Sequence, residues 1–318
     1  MHKGRKKRLV NYAKVLIVIS ITLFVYGFSL DFYNKNIKKV IDPIKDVKQV
    51  NGNNNTVSIT PSTGSEVVPN DNSDNKTVEN KTVPSNKDIN NELRNEIQNR
   101  YDVKVLYGSE TNGYVVKSDN TSISTTPITD SNKIYSKLND LNRTLSLYPK
   151  GMFSEIKNGG IPLTIILIDS YSESNITGVT DSSYEYANIS IAAMYPFDES
   201  FYHESYHYIE RYMFKKGANF NSWDTLNPSG FNWNTIDGSL SYSNTFSENA
   251  PFVNNYAQTA AAEDRASTFE YMMANSKASC LNRGTTVWKK ANYMSQMMRQ
   301  VLTTVRNNSN VRWEQYLY

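Results

Sequence analysis

Residues 203–207 read His-Glu-Ser-Tyr-His. His203 and His207 are four residues apart, so on a helix they stand on one face, one turn from each other. Two imidazoles in that relation can grip a single zinc ion. Glu204, between them, can handle the proton of a zinc-bound water as a general base. The chain has three histidines, and the remaining one, His2, sits in a charged N-terminal tip. Both histidines available to the body of the protein therefore fall in one motif. Such a set supports metal-assisted hydrolysis, of a peptide bond in the first instance. The alternative is a pair of merely solvated histidines on a helix.

A catalytic zinc takes three protein ligands and leaves one position for water. The longer H-E-x-x-H-x-x-G-x-x-H pattern is excluded, because its Gly and final His positions hold Glu210 and Met213. A carboxylate must complete the set. Glu210 lies on the same helix face, but about 10 Å along the axis from His203, too far to converge with both histidines. It reads better as a residue that steadies the ligands, or as an ordinary polar one. Glu248 falls in an apparent loop. Glu263 is the better candidate: it sits in Ala260-Ala261-Ala262-Glu263-Asp264-Arg265-Ala266, whose small side chains let one helix approach another closely. Asp264 beside it can orient a ligating histidine through a hydrogen bond.

The elements that must position these residues are legible in outline. The motif helix should begin after Pro196-Phe197 with Asp198 as its cap, and stop near Lys215-Lys216 before Gly217. Projected at about 100° per residue, His203, His207 and Glu210 cluster on one side, and Phe201, Tyr208 and Tyr212 on the other. One face is built to pack and the other carries the metal-binding set. Upstream, periodicity predicts helices at 88–100 and 130–147, and a hairpin pairing Val103–Tyr107 with Tyr114–Lys117. Leu163–Ile168 reads as a central strand, and Ala187–Met194 as another. Residues 218–255 show no long helix; their Trp and Phe residues are either cleft walls or loop core. Thr259–Ala274 and Thr286–Val305 read as the closing helices, the latter with a methionine-lined core face.

The composition is segregated. Residues 1–48 carry eleven Lys/Arg and three Asp, a net +8, whereas the rest, with 23 Lys/Arg against 28 Asp/Glu, is net −5. The body shows no basic, aromatic-interleaved face, so no nucleic-acid partner is expected. The single cysteine, Cys280, excludes both a disulfide framework and a cysteine-based zinc site. After a basic tip, Val15–Leu30 runs without a charge, which reads as an N-terminal membrane anchor or signal segment over 1–30. Residues 31–87 read as a juxtamembrane piece and a polar stalk too poor in apolar side chains to fold. In either case the body is expected outside the cell, tethered to the membrane or secreted.

With these residues in place, the chain resembles the gluzincin metallopeptidases, in which a Glu on a later helix completes H-E-x-x-H. It is similar in particular to the anthrax-lethal-factor-like branch and to the zinc-binding metallopeptidases exported by Gram-positive bacteria. FYHESYHYIE (201–210) and YAQTAAAEDRASTFE (256–270) carry the resemblance. It implies a zincin-like α+β domain over 88–318: a small mixed sheet packed on the active-site helix, followed by a helical part. It implies Zn2+ held by His203, His207 and Glu263, and Glu204 as the base. Tyr256, seven residues before Glu263, would be a catalytic oxyanion donor. A protein or peptide substrate would lie along Ala187–Met194 as an added strand. Thermolysin-like relatives carry an Asp four residues after the ligand Glu; Ser267 stands there. The competing readings are a non-catalytic surface-binding module on a zincin fold and a zinc hydrolase of a cell-wall component.

Overall fold

A computed structural model of the 318-residue chain describes residues 85–118, 121–231, 233, 250–274 and 281–317. The apolar run at 15–30, nearly all of the expected stalk, Glu248 and Cys280 lie outside the described residues. Among those described, no helix is long and apolar enough to cross a membrane.

The first helix, α1 (Asn86–Tyr101), begins a little earlier than periodicity predicts. Ser85 and Asp88 form a reciprocal capping box at its start, which satisfies N–H groups the first turn cannot bond itself. The strand that follows, β1 (Lys104–Tyr107), does not form the expected hairpin. It runs parallel to a later strand, β4 (Leu163–Tyr171), with Val105 opposite Ile165. Val103 and Val105 are buried, and a lone two-stranded hairpin could not supply that burial. A single 3-10 turn at Gly108–Thr111, entered with Gly108 at φ 60°, takes the chain away from β1. The hairpin forms one strand later, between β2 (Val115–Ser118) and β3 (Thr121–Pro127). β1 and β3 then share one edge of β4, beside its first and second halves respectively.

On the other edge of β4 lies β6 (Ala187–Ala192), parallel to it, and β5 (Gly178–Ser182) closes the row antiparallel to β6. The order is β2-β3-β4-β6-β5, with β1 beside β4. Leu163, Ile165 and Leu167 of β4 enter the main core under the helices. Ile166 and Ile168 enter a smaller cluster on the opposite face, with Val116, Ile123 and Ala192. Both faces of β4 are covered, which is why its sequence is a continuous apolar run. One expectation is corrected here. Residues 187–194 are no sheet edge, because β6 is bonded on both sides; the outer strand is β5, whose sequence GVTDS carries little apolar alternation.

The helices pack on one face of this mixed sheet. Asp130 caps α2 (Ser131–Leu145), accepting from Asn132 and Lys133 N–H. A short helix the pattern did not announce, α3 (Met152–Asn158), follows Gly151. The motif helix α4 (Phe197–Lys215) runs through the core, and α5 (Ala261–Met273), α6 (Thr286–Val301) and α7 (Thr303–Arg306) complete the helical part. The last helix was expected to continue to Val305. It breaks at Leu302, which is extended, and Glu155 of α3 accepts the freed N–H groups of Thr303 (2.7 Å) and Thr304 (2.9 Å). The domain is α+β and zincin-like in layout: a small mixed sheet, a motif helix packed on it, and helices after.

Candidate metal centre

α4 is set in place at both ends and along its length. Asp198 is not its cap; it lies in the first turn and accepts from Arg143 (2.6 Å) and the Thr144 hydroxyl (2.6 Å) of α2. At the other end Gly217, at φ 83°, lets Gly217 and Ala218 N–H return to the carbonyls of Phe214 and Met213, and the helix stops. The Tyr148 hydroxyl is 2.6 Å from Ser205 Oγ, and the Tyr206 ring lies 5.2 Å from Phe269 of α5. The expected division into a packed back and an open front is only partly met. Helix α5 covers the histidine face and β5 lies against Glu204, and Tyr202, His203, Glu204 and Glu210 are all buried.

His203, His207 and Glu263 come together, the last from the first turn of α5. His203 Nε2 is 3.0 Å from Glu263 Oε2 and 3.3 Å from His207 Nε2, and His207 Nε2 is 3.6 Å from the same carboxylate oxygen. Donor atoms around a tetrahedral zinc at about 2.0–2.1 Å stand roughly 3.3 Å apart. The observed triangle has that size, and two imidazole nitrogens aim at the same point beside a carboxylate oxygen. The residues fit a zinc ion. Burial disfavours the charged imidazole of His203, yet Glu263 and Glu270 outweigh it and its pKa is pushed up to about 10. Burial likewise disfavours the Glu263 carboxylate, but the two imidazoles hold it well below the usual range. The site is thus built to keep a negative oxygen beside nitrogens that a cation would draw together.

The other expected residues separate. The Tyr256 ring lies 5.7 Å from the His203 ring. Burial, and then the carboxylates of Glu263 and Glu204, raise its pKa far above that of a free phenol, so it stays a proton donor. Asp264 and Glu210 were expected to steady the ligands, and neither does so directly. The Asp264 carboxylate turns away from the histidines to Lys290 Nζ (2.6 Å) and Trp223 Nε1 (2.8 Å). Glu210 is paired with Arg265. The reason is helical phase. Residues 263 and 264 are about 100° apart around α5, so a Glu facing α4 sends its neighbour toward α6.

The carboxylate that faces His203 from behind is Glu270, with Oε2 3.6 Å from Nδ1, and it is almost fully buried. The signal was present in the sequence, since Glu270 lies two turns after Glu263 on the same face of α5. Glu204 lies against β5, where Thr180 Oγ1 is 2.7 Å from its Oε2. Trp223 is fully buried, edge-on to Phe220 and facing the Arg265 guanidinium, so it is loop core.

No protein-family model matches the chain, and no curated protein does. One solved structure is similar: a protein from Bacteroides caccae described as a putative zinc-binding metallo-peptidase, 16% identical, covering 73% of this chain and 93% of that one, with a TM-score of 0.46. The chemistry of the site rests on its own geometry.

Proposed function

We propose that this protein is a zinc-dependent endopeptidase of the gluzincin type. His203, His207 and Glu263 would hold the metal, and Glu204 would be the general base. The observation behind this reading is the triangle of donor atoms, 3.0 to 3.6 Å on a side, with Glu204 next to His203 on the helix and its charge felt by that imidazole. When bound there, zinc supplies a Lewis acid that acidifies water and polarises a carbonyl. Glu204 takes a proton from the attacking water as oxygen adds to the peptide carbonyl carbon. It returns that proton to the nitrogen as the C–N bond breaks, leaving an amine and a carboxylic acid, which gives up the second water proton to solvent. The Tyr256 phenol donates to the oxygen that becomes negative. Glu270 holds the His203 ring from behind. The outer edge of β5 takes an extended peptide by strand addition, in place of the interior strand β6. The domain acts outside the cell, held by the apolar segment 15–30 or released after its removal.

The test uses the full 318-residue chain loaded with zinc, incubated with a mixed peptide library, with and without a chelator. Chelator-sensitive cleavage is expected. Glu204→Gln should keep one zinc per chain and lose roughly 10²- to 10⁴-fold in rate. Turnover retained in the zinc-loaded Gln variant would remove Glu204 from the role. Zinc binding without peptide cleavage would point instead to a non-peptide substrate or a binding module.

A further inference from the structure

The strand β5 does more than border the sheet. Gly178 and Thr180 are two residues apart on it, so they share a face. Their partners in register, Ile191 and Ile189, belong to the core under α4. Both residues meet Glu204. Thr180 Oγ1 is 2.7 Å from Glu204 Oε2 and 2.8 Å from the main-chain oxygen of the same residue. The hydroxyl has one proton for these two oxygens, and the carboxylate is the stronger acceptor, so the bond goes to Oε2 and the main-chain oxygen is a neighbour only. Gly178 lies under the stem of the same side chain. A Cβ there would come within 2.7 Å of Glu204 Cγ, closer than such atoms approach, and would crowd Ile191 Cδ1 at 3.0 Å and Glu204 Oε1 at 3.3 Å.

We propose that Gly178 and Thr180 together are the positioning device for Glu204. Glycine leaves the seat for its methylenes, and the threonine hydroxyl anchors Oε2, so that Oε1 is the oxygen left to exchange a proton in the cleft. This rests on reading Glu204 as the proton acceptor. The side chain has three rotatable bonds, and a carboxylate free to swing would present the wrong oxygen, or none, to the reacting water. Two contacts from one strand remove that freedom. Because β5 is the outer strand, the device also ties the geometry of the base to the strand proposed to take the peptide.

The experiment compares zinc-loaded wild type, Thr180→Val, Thr180→Ser, Gly178→Ala and Glu204→Gln as full-length chains. Zinc content, crystal structures and kinetics on the best-cleaved library peptide are measured for each. Valine keeps the shape of threonine and removes only the hydroxyl. Thr180→Val should keep one zinc per chain, show the Glu204 carboxylate rotated or spread over rotamers, and lose roughly ten- to a hundredfold in kcat with little change in KM. Serine, which restores the hydroxyl, should recover both position and rate. Gly178→Ala should displace the carboxylate with zinc retained. An unmoved Glu204 in the Val crystal, or a Ser variant as slow as Val, overturns the proposal. Should Glu204→Gln prove as active as wild type, or wild type cleave nothing, the reading of the base is what falls. The carboxylate positions then decide alone whether Thr180 holds it.

Discussion

Five acidic side chains stand in or next to the candidate centre, and each is held by its own contacts. Glu263 meets both imidazoles, Glu270 the back of His203, Glu204 the hydroxyl of Thr180, Glu210 the guanidinium of Arg265, and Asp264 the ammonium of Lys290. Their roles should separate in a zinc titration. Glu263→Ala should abolish tight zinc binding, since it removes a ligand. Glu270→Gln should weaken zinc roughly 10- to 100-fold, as loss of a ligand's supporting carboxylate does. Glu210→Ala should leave zinc stoichiometry intact while lowering Tm, because it strands Arg265 in the interior. Loss of zinc in Glu210→Ala, with retention in Glu263→Ala, would transfer the ligand role to Glu210.

At the scale of elements, the centre depends on how closely α5 is held to α4. The Asp264–Lys290 pair does much of this from the far side of α5. Lys290 Nζ reaches Asp264 (2.6 Å) and the Pro251 carbonyl (2.9 Å), over the face of Phe252, and both side chains are fully buried. Burial pushes Asp264 up to about 6 and lowers Lys290, so neither charge is comfortable without the other. Lys290→Met should destabilise the fold by about 3–5 kcal/mol, because it leaves Asp264 buried without its cation. Lys290→Met combined with Asp264→Asn should recover part of that loss. Denaturant melts of the three variants measure it, and equal stability of wild type and Lys290→Met would refute the assignment.

At the scale of the whole molecule, metal, pH and stability are linked. In the metal-free protein the raised His203 pKa contributes stability that is complete below 6.5 and lost as pH rises toward about 10. The depressed Glu263 pKa contributes stability present above 4.5 and lost on acidification through its lowered value. Zinc requires His203 unprotonated, so its binding releases a proton and strengthens with pH. The gap in Tm between zinc-loaded and metal-free protein should therefore widen from pH 6 to pH 9. A gap that narrows over this range would contradict the pairing of His203 with Glu263. The helical spacing of His203, Glu204 and His207 was readable because one turn of helix is local geometry. The apolar periods of α2 and α6 were readable for the same reason. The strand pairings were not: β1 lies beside β4 rather than in a hairpin, because burial of Val105 is settled by chain segments sixty residues away. Likewise β5 carries too little apolar pattern to announce itself, yet it bounds the sheet and meets Glu204. The sequence by itself determined which donor types exist and which two share a helix face. Only the tertiary structure decided that Glu263 joins them, that Glu270 rather than Asp264 backs His203, and that Thr180 touches Glu204, because those relations are set by the phase and packing of separate elements rather than by spacing along one.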